Sequence, residues 1–356
     1  DMKNNLLRGI RKASDFLMGL QLTGAFKRRA LANLQVRLPA VVIGGGLTGI
    51  DTATELLAYY PVQVEKTLER YEALAAERGE DAVRAVYRPE ELAILDEFLD
   101  HGRAVRAERA RAAAAGEAPD LAALVNGWGG VTLCYRKGLR DAPAYRLNHE
   151  EVEKALEEGI GFAEHLEPLE ALPDEHGHLA GMVFRRTDAG DTVTLPARAC
   201  MVAAGTSPNV IYEKEHPGTF ELDERRRFFR AHRADVSDGR PVLAPAGPGE
   251  AGFFTSYEQG GRLVSFFGDN HPRYAGNVVK AMASAKDGAP EVAALFAAEI
   301  AAMSDAERAA RLGRRDALWR ALDDELRCTV AEVNRLTPTI IEVVVRAPRQ
   351  ARNFHP

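Results

Sequence analysis

A glycine cluster between a strand pattern and a helical pattern is the feature that most constrains this sequence. Residues 44–49 read Gly-Gly-Gly-Leu-Thr-Gly, after the apolar run Ala-Val-Val-Ile at residues 40–43. Gly44, Gly46 and Gly49 have the G-x-G-x-x-G spacing of a dinucleotide-binding turn. Such glycines let a pyrophosphate approach the backbone, and the N–H groups and positive end of the following helix then hold the anion. The sequence therefore predicts a strand, a tight turn and a helix that together bind a dinucleotide.

Composition excludes several other classes of protein. The chain has 356 residues, 46% of them hydrophobic, and a formal net charge of −6, which predicts two or more globular domains or subdomains. No long basic stretch suggests nucleic acid, no run reaches the roughly 20 apolar residues of a membrane span, and no signal peptide is seen. Cys134, Cys200 and Cys328 are far apart, which argues against disulfides, zinc or iron–sulfur clusters. We therefore expect a cytoplasmic protein with no metal, nucleic acid or membrane partner.

Two segments compete for the second strand of the dinucleotide unit. If the strand is residues 61–65, Glu65 would follow the glycines at the distance of a ribose-binding carboxylate, which implies NAD. If it is residues 131–135, Arg136 and Lys137 would follow the strand and suit the 2′-phosphate of NADP. Helical periodicity continues through residues 61–75, with Pro61 fitting a first helical position. We therefore favour the later strand and interpret residues 61–128 as a helical insertion.

The remaining pattern divides the chain into further segments. Residues 1–20 have apolar residues at helical spacing and predict a helix within a lead-in of residues 1–37. A helix capped by Asn148 and ended by Gly159 precedes strand patterns at residues 160–163, 179–185, 192–195 and 199–203, with a turn at 188–191 that predicts a small β-meander. Residues 211–262 are polar and predict loops, residues 291–328 predict helix, and residues 329–345 predict strands.

Several of these segments together resemble the NADPH domain of the glutamate synthase small-subunit family of flavoproteins. The resemblance rests on the turn from Gly44 to Asp51, on Tyr135-Arg136-Lys137, and on the acidic helix that ends in Glu158-Gly159. Residues 203–209, Ala-Ala-Gly-Thr-Ser-Pro-Asn, resemble the segment in which that family returns to its flavin domain. Residues 266–269, Phe-Phe-Gly-Asp, followed by residues 276–282, resemble its second flavin signature.

The resemblance implies an α/β fold of the two-dinucleotide-binding flavoprotein type. It implies a Rossmann-like NADPH domain at 38–210 with a β-meander, and a partial FAD domain at 211–290. It also implies NADPH and FAD as cofactors, bound through the residues that match the motifs. These residues are Gly44, Gly45, Gly46, Thr48, Gly49, Asp51, Arg136, Lys137, Gly205, Gly268, Asp269, Asn277 and Val278.

Three features depart from that family, and the tail adds a second resemblance. The first flavin motif and the iron–sulfur cysteines are absent, and the insertion is foreign to the compact family pattern. Residues 336–348, with Phe354-His355-Pro356, are similar to the opening strands of the ferredoxin–NADP reductase-like barrel, so residues 329–356 predict its start after a helical linker at 291–328. Because the chain begins at Asp1 and ends within this motif, we expect an internal piece of a longer polypeptide that retains FAD poorly by itself.

The resemblance implies a module that moves electrons from NADPH through FAD to an acceptor in a separate domain or subunit. Hydride transfer depends on positioning and electrostatics rather than on a base, so no catalytic residue is assigned; His149 is the nearest candidate. The lack of a paired cysteine argues against a disulfide reductase. Two alternatives stay open: a non-catalytic scaffold that binds nucleotide, and an NADH-linked variant.

Overall fold

The computed structural model describes residues 2–205, 207–276, 278–338 and 340–352 of the chain. Two compact units make up the chain, Asp1–Ser207 and Pro208–Pro356. No helix within the described ranges is both long enough and apolar enough to cross a membrane.

The first unit contains a parallel sheet and an antiparallel one. Its strands are β1 (Ile10–Lys12), β2 (Ala40–Ile43), β3 (Val131–Cys134), β4 (Gly161–Ala163), β5 (Leu166–Pro173), β6 (Leu179–Arg186), β7 (Thr192–Pro196) and β8 (Ala199–Val202). The parallel sheet has the order β1-β8-β2-β3-β4, and the antiparallel sheet is the meander β5-β6-β7. The predicted α/β class with a parallel sheet is confirmed.

Helices follow the parallel strands and cover the sheet. They are α1 (Ala13–Leu22), α2 (Leu47–Arg78), α3 (Glu80–Arg84), α4 (Pro89–Ala115), α5 (Leu121–Gly127), α6 (Pro143–Leu147) and α7 (His149–Glu157). The main core packs α1, α2 and α4 against the sheet around large buried side chains. Among these are Phe16, Leu20, Leu56, Tyr59, Tyr60 and Phe98.

The choice of the second strand is confirmed. Ala40–Ile43 pairs in parallel with Val131–Cys134, whereas residues 61–65 lie inside helix α2. The prediction that Pro61 begins a new helix is wrong, because α2 continues through it for 32 residues. Proline removes one helical donor. The apolar neighbours on both sides, including Tyr60 and Val64, are buried in the core and stabilise the continuous helix.

The predicted helix over the first twenty residues is wrong in its first half. Strand β1 occupies residues 10–12 at the sheet edge, and the helix begins only at Ala13. Gly9 has φ +105, and a Cβ atom there would lie 2.7 Å from the Arg198 carbonyl oxygen. The Gly9 carbonyl accepts a hydrogen bond from Cys200 at 2.8 Å. Pairing with the sheet therefore overrides the helical periodicity of this segment.

The meander is confirmed, although its first strand was not predicted. Strands β6 and β7 pair across the predicted turn at 188–191, whereas the predicted strands at 160–163 and 199–203 belong to the parallel sheet. Strand β5, Leu166–Pro173, contains two prolines and two glutamates and so lacks a strand pattern. It forms because antiparallel pairing with β6 buries Leu166 and Ala171.

The second unit contains more strand than the sequence predicted. Its elements are α8 (Ile211–Glu215), β9 (His232–Ser237), β10 (Arg240–Pro245), β11 (Phe254–Gln259), β12 (Arg262–Ser265), α9 (Val278–Ala294), α10 (Ala297–Ala301), α11 (Arg308–Leu326), β13 (Thr329–Arg335), β14 (Ile341–Arg346) and α12 (Pro348–Arg352). The loop prediction for 211–262 is wrong, because β10-β9-β11-β12 form an antiparallel sheet. Most side chains of β9 and β12 are exposed or half-buried, so these strands show no apolar alternation.

Helix and strand at the end of the chain agree with the sequence pattern. Helices α10 and α11 fall within the predicted 291–328, and β13 and β14 form an antiparallel hairpin within 329–346. Residues 353–356 of the tail motif lie outside the described residues.

Candidate functional site

The glycine turn after β2 is closed to side chains at three of its four glycines. A Cβ atom at Gly44 would lie 2.7 Å from the Ala203 carbonyl oxygen, and one at Gly45 would lie 2.6 Å from the Tyr135 ring. A Cβ atom at Gly49 would lie 2.5 Å from the Gly44 carbonyl oxygen. Close backbone packing therefore requires glycine at these positions. Gly46 differs, because a Cβ atom there would meet nothing within 4 Å.

Four consecutive backbone N–H groups at this turn, those of residues 45–48, donate no hydrogen bond to any described residue. Gly46 is the N-cap of α2, and no side chain caps the helix. The next two N–H groups, of Gly49 and Ile50, already bond to the Gly46 carbonyl. A 32-residue helix thus presents free donors and its positive end beside open space at Gly46. This arrangement can hold an anion such as a pyrophosphate.

The position of the turn in the sheet strengthens that interpretation. Strand β2 lies between β8 and β3. The chain continues from β2 to β3 and β4 on one side, and returns as β8 on the other. The turn therefore lies at the carboxyl end of the strand from which successive strands diverge. In open α/β sheets this switch point is where ligands bind.

Arg136 and Lys137 follow β3 at the same end of the sheet. The Arg136 carbonyl accepts a hydrogen bond from the Thr187 hydroxyl at 2.8 Å, and the Lys137 carbonyl accepts one from the His165 N–H at 3.3 Å. The backbone is thus held, while both side chains are exposed and form no ion pair with a described residue. Two cationic groups remain available for a negatively charged ligand.

Asp51 and Thr48 lie in the first turns of α2. The Thr48 carbonyl accepts a hydrogen bond from the Thr52 hydroxyl at 2.6 Å. The pKa of Asp51 is raised to about 6, first by partial desolvation and then by the charge of Glu151 and a hydrogen bond with it, with Glu55 adding to the effect. Glu151 of α7 also accepts a hydrogen bond from the Asn148 amide at 2.8 Å. Asp51 of α2 and Glu151 of α7 therefore form a hydrogen-bonded carboxyl pair just beyond the turn.

The alternative ribose ligand, Glu65, is far along α2. Its carboxylate accepts a hydrogen bond from Arg109 Nε at 2.9 Å, and its side chain is only 17% exposed. It lies in the middle of a helix rather than at a strand end, so it does not occupy the ribose-binding position on which the NAD interpretation depended.

Gly205 follows β8, at the same carboxyl end of the parallel sheet as the glycine turn. The preceding Ala203 donates its N–H to the Ile43 carbonyl at 2.8 Å, which fixes this segment beside β2. Gly205 is exposed and has φ +83, a conformation that glycine adopts without strain. Thr206 lies outside the described residues.

The predicted flavin residues of the second unit form a different kind of turn. Gly268 and Asp269 begin a short 3₁₀ helix after β12 rather than closing a strand. Asp269 is exposed, and its carboxylate accepts a hydrogen bond from the Gly276 N–H at 3.2 Å. Val278 is the first residue of α9 and is 70% exposed. Asn277 lies outside the described residues.

Sequence reasoning missed the side chains that support both turns. The Tyr135 ring packs against Gly45, and the Ala144 N–H donates to the Gly45 carbonyl at 2.9 Å. In the second unit the buried His271 bonds through Nε2 to the Gly252 carbonyl at 2.9 Å and stacks on Phe266. These contacts join residues distant in sequence, and no local pattern indicates them.

The remaining candidate groups show no active-site chemistry. Burial raises the pKa of the Cys134 and Cys200 thiols to about 12, so these thiols are unreactive near neutral pH. Cys328 is exposed. His149 is exposed beside Tyr145, with ring centroids 6.0 Å apart. Across the described ranges, no three His, Cys, Asp or Glu residues come together in a group able to hold a metal ion.

Comparison with known proteins yields relatives of two kinds. No family model matches the chain. An uncharacterized protein, RP006 of Rickettsia prowazekii (strain Madrid E), is 29% identical over 358 residues, which cover 99% of this chain and 43% of the relative. The chain thus spans less than half of the length of that protein.

Several solved structures also match the chain, at low similarity. A thioredoxin reductase of T. acidophilum aligns with a TM-score of 0.36 and 14% identity, over 73% of this chain and 52% of that one. A Lactococcus lactis thioredoxin reductase aligns with a TM-score of 0.33 and 16% identity, over 50% and 49% of the two chains. A FAD-dependent pyridine nucleotide-disulphide oxidoreductase of Desulfovibrio vulgaris aligns with a TM-score of 0.32 and 14% identity, over 66% and 38%.

Proposed function

We propose that this chain is the nicotinamide-nucleotide-binding part of a flavin-dependent oxidoreductase. The observation that carries the proposal is the set of four free N–H groups at residues 45–48, at the start of a long helix and at the switch point of a parallel sheet. A plain structural turn would not need three glycines packed against backbone and Tyr135 while the fourth faces open space. A dinucleotide pyrophosphate meets each of these conditions.

The basic pair after β3 supports NADPH over NADH. Arg136 and Lys137 are exposed cations at the end of the strand next to β2, where the adenosine ribose of a dinucleotide lies in this kind of fold. A 2′-phosphate there would accept charge-assisted hydrogen bonds from both side chains. Glu65, the carboxylate that would bind the 2′-hydroxyl of NADH in the alternative assignment, lies in the middle of α2 and is paired with Arg109 of α4.

The second unit supplies the proposed flavin contacts. FAD, when bound, supplies the acceptor for a hydride and passes electrons on singly or in pairs. Asp269 is exposed, and its carboxylate, which uses one acceptor position on Gly276, retains others for ribityl hydroxyls. Helix α9, which begins at Val278, has 17 residues whose N-terminal dipole would stabilise negative charge on a reduced flavin. Residues of this chain would bind and orient, and none is assigned as an acid or base.

The wider organisation is part of the same proposal. Residues 38–210 would form the NAD(P)H-binding domain with its insertion at 61–128. Residues 1–37, whose strand β1 joins the same parallel sheet, would lead in from the FAD domain, and residues 211–290 would be the C-terminal part of that domain. Residues 291–328 would link to a ferredoxin reductase-like barrel that starts at 329–356. The protein would resemble the glutamate synthase small subunit, work in the cytoplasm and deliver electrons to a separate domain or subunit.

A non-catalytic scaffold that only binds nucleotide is the competing function. The two functions differ in one observable: NADPH bleaches the visible absorbance of the flavin in an electron-transfer protein and leaves it unchanged in a scaffold. Arg136 and Lys137 would bind the 2′-phosphate that NADPH and NADP⁺ share, so reduction of the flavin, and not nucleotide preference, separates the two functions. A protein purified with flavin that NADPH does not bleach would favour the scaffold.

The test of the proposed site is a titration of the chain with NADPH. In Gly46→Val, a side chain occupies the open space beside the free N–H groups, so NADPH binding should be lost while the fold is retained. Gly127→Val is the matched control, because a Cβ atom there also meets nothing within 4 Å, at the end of α5. Unchanged NADPH affinity in Gly46→Val would contradict the placement of the nucleotide.

A further inference from the structure

A large cleft in the first unit lies at the opposite end of the parallel sheet from the glycine turn. Its volume is about 850 Å³, which is enough for a small organic ligand. The N-terminal segment, the loop before β2, the start of α4 and the start of β8 form its walls. The parallel strands begin on this side and end at the glycine turn, so the cleft is separate from the proposed nucleotide site.

Arginine dominates the lining of this cleft. Five arginines from four separate segments contribute to it: Arg8, Arg11, Arg37, Arg88 and Arg198. The backbone that carries the first two is fixed, because the Arg8 carbonyl accepts a hydrogen bond from Leu179 at 2.8 Å and Arg11 pairs with Met201 in the sheet. Cationic groups from distant parts of the sequence are thus brought to one cavity on a rigid support.

Only part of this positive charge is neutralised within the chain. Glu97 forms a bidentate pair with Arg198, with both distances 2.7 Å, and a longer contact of 3.3 Å with Arg37. Arg8, Arg11 and Arg88 have no carboxylate within 4 Å among the described residues, and Arg8 Nη1 lies 3.5 Å from Nε2 of His178, which also lines the cleft. Glu90 and Glu91 also line the cleft, and Glu91 accepts the Arg88 N–H at the start of α4. Five arginines therefore face three carboxylates.

Four neighbouring arginines of the helical insertion, by contrast, are paired with carboxylates. Each of four neighbouring arginines on α4 has a carboxylate within 2.9 Å: Arg103 with Asp100, Arg106 with Glu72, Arg109 with Glu65 and Arg111 with Glu108. Three arginines of the cleft, Arg8, Arg11 and Arg88, lack such a carboxylate partner. Arg37 Nε is moreover the single buried side-chain nitrogen or oxygen in the described residues that lacks a hydrogen-bond partner. An unmet buried donor is costly, and it shows that Glu97 does not satisfy the whole Arg37 guanidinium.

We propose that this cleft binds a small polyanion whose phosphate or carboxylate groups bridge several of its arginines. Guanidinium groups form bidentate hydrogen bonds with both kinds of oxyanion. Arg8 and Arg88 are exposed and Arg11 is half-buried, so a ligand reaches all three without disrupting the Glu97 pairs. The site would bind its ligand independently of the nicotinamide nucleotide.

The experiment measures binding of inorganic tripolyphosphate and of citrate by isothermal titration calorimetry. The titrations use the Gly46→Val background, so that the glycine turn does not contribute. Arg88→Gln and Arg11→Gln are expected to weaken binding at least tenfold each, as loss of one charge-assisted contact implies. Arg29→Gln is the matched control, an exposed arginine without a carboxylate partner that lies outside the cleft. Tighter binding of one probe identifies the chemistry of the ligand.

Several outcomes would overturn the proposal. Binding of neither probe would do so, as would equal affinities in Arg88→Gln and in the background protein. Binding of an oligoglutamate peptide with no binding of either small probe would assign the cleft to an acidic protein segment instead. NADPH affinity should be unchanged in Arg88→Gln with native Gly46, so failure of the cleft and failure of the nucleotide site are distinguishable.

Discussion

Two turns with predicted cofactor contacts, at residues 44–49 and 268–276, differ in how firmly the structure requires their glycines. In the first turn a side chain at Gly44, Gly45 or Gly49 would collide with backbone or an aromatic ring. At Gly268 the nearest atom to an added Cβ is the Ala281 Cβ at 3.9 Å, an ordinary contact. The first turn is thus constrained by packing within its own unit. The second is constrained by its φ of +70 alone.

The two turns also differ in their free hydrogen-bonding groups. Residues 45–48 offer a row of unbonded N–H groups, whereas Gly268 donates its N–H to the Ser284 hydroxyl at 2.8 Å and Asp269 accepts from Gly276. Free N–H donors in the folded chain indicate that the ligand is an anion. Groups that already have partners within the chain give no such indication. The proposed nucleotide turn can therefore be tested within this chain, whereas a test of the proposed flavin turn depends on bound cofactor.

The largest expected effect is the difference in stability loss between substitutions at the two turns. In Gly49→Val the new Cβ would lie 2.5 Å from the Gly44 carbonyl oxygen, so we expect a loss of about 4 kcal/mol in the free energy of unfolding. In Gly268→Ala only the left-handed backbone is strained, which costs about 1–2 kcal/mol. Urea denaturation followed by circular dichroism measures both. Equal losses in the two variants would show that packing does not constrain Gly49 more than Gly268.

The next effect concerns coenzyme choice at the first turn. Replacing both Arg136 and Lys137 with Ala should weaken NADPH binding by about 3 kcal/mol, because charge-assisted hydrogen bonds to a 2′-phosphate are worth about 1.5–3 kcal/mol each. NADH affinity should change little. Arg29→Ala is the control for the loss of an exposed cation. A wild-type preference for NADH, measured by the same fluorescence titration, would contradict the assignment.

The flavin turn predicts a smaller effect. In a protein that contains the complete FAD domain, Asp269→Ala should weaken FAD retention by about 2 kcal/mol, since one or two hydrogen bonds from ribityl hydroxyls to a carboxylate would be lost. NADPH affinity should stay near that of the wild type. Asp324→Ala, an exposed carboxylate on α11, is the matched control. Flavin release during dialysis, measured by fluorescence, tests the prediction, and equal retention in the two variants would remove Asp269 from the flavin site.

The sequence predicts the elements that repeat a strong local pattern and misses those that depend on tertiary pairing. The run at residues 40–43, the later strand at 131–134 and the insertion are predicted because apolar spacing and glycines act locally. Strand β1 forms only because Gly9 fits against Arg198, and strand β9 only because it pairs with β10 and β11. The arginine cleft likewise draws residues from four distant segments, so no spacing in the sequence indicates it.

The smallest predicted effect concerns Asp51, which only the three-dimensional structure identifies as unusual. Its pKa is raised from 3.8 to about 6 by partial desolvation and by Glu151, so between about pH 4 and pH 6 the folded chain binds more protons than the unfolded chain. The free energy of unfolding should therefore fall as pH rises through this window, because the ionised form is disfavoured in the folded state. Since the site is partly solvated, we expect a contribution of about 1 kcal/mol rather than the full value of the shift. Asp51→Asn should flatten this slope in urea denaturation, whereas Asp15→Asn, at an exposed position in α1, should keep it. An unchanged slope in Asp51→Asn would show that this carboxyl group does not share its proton with Glu151.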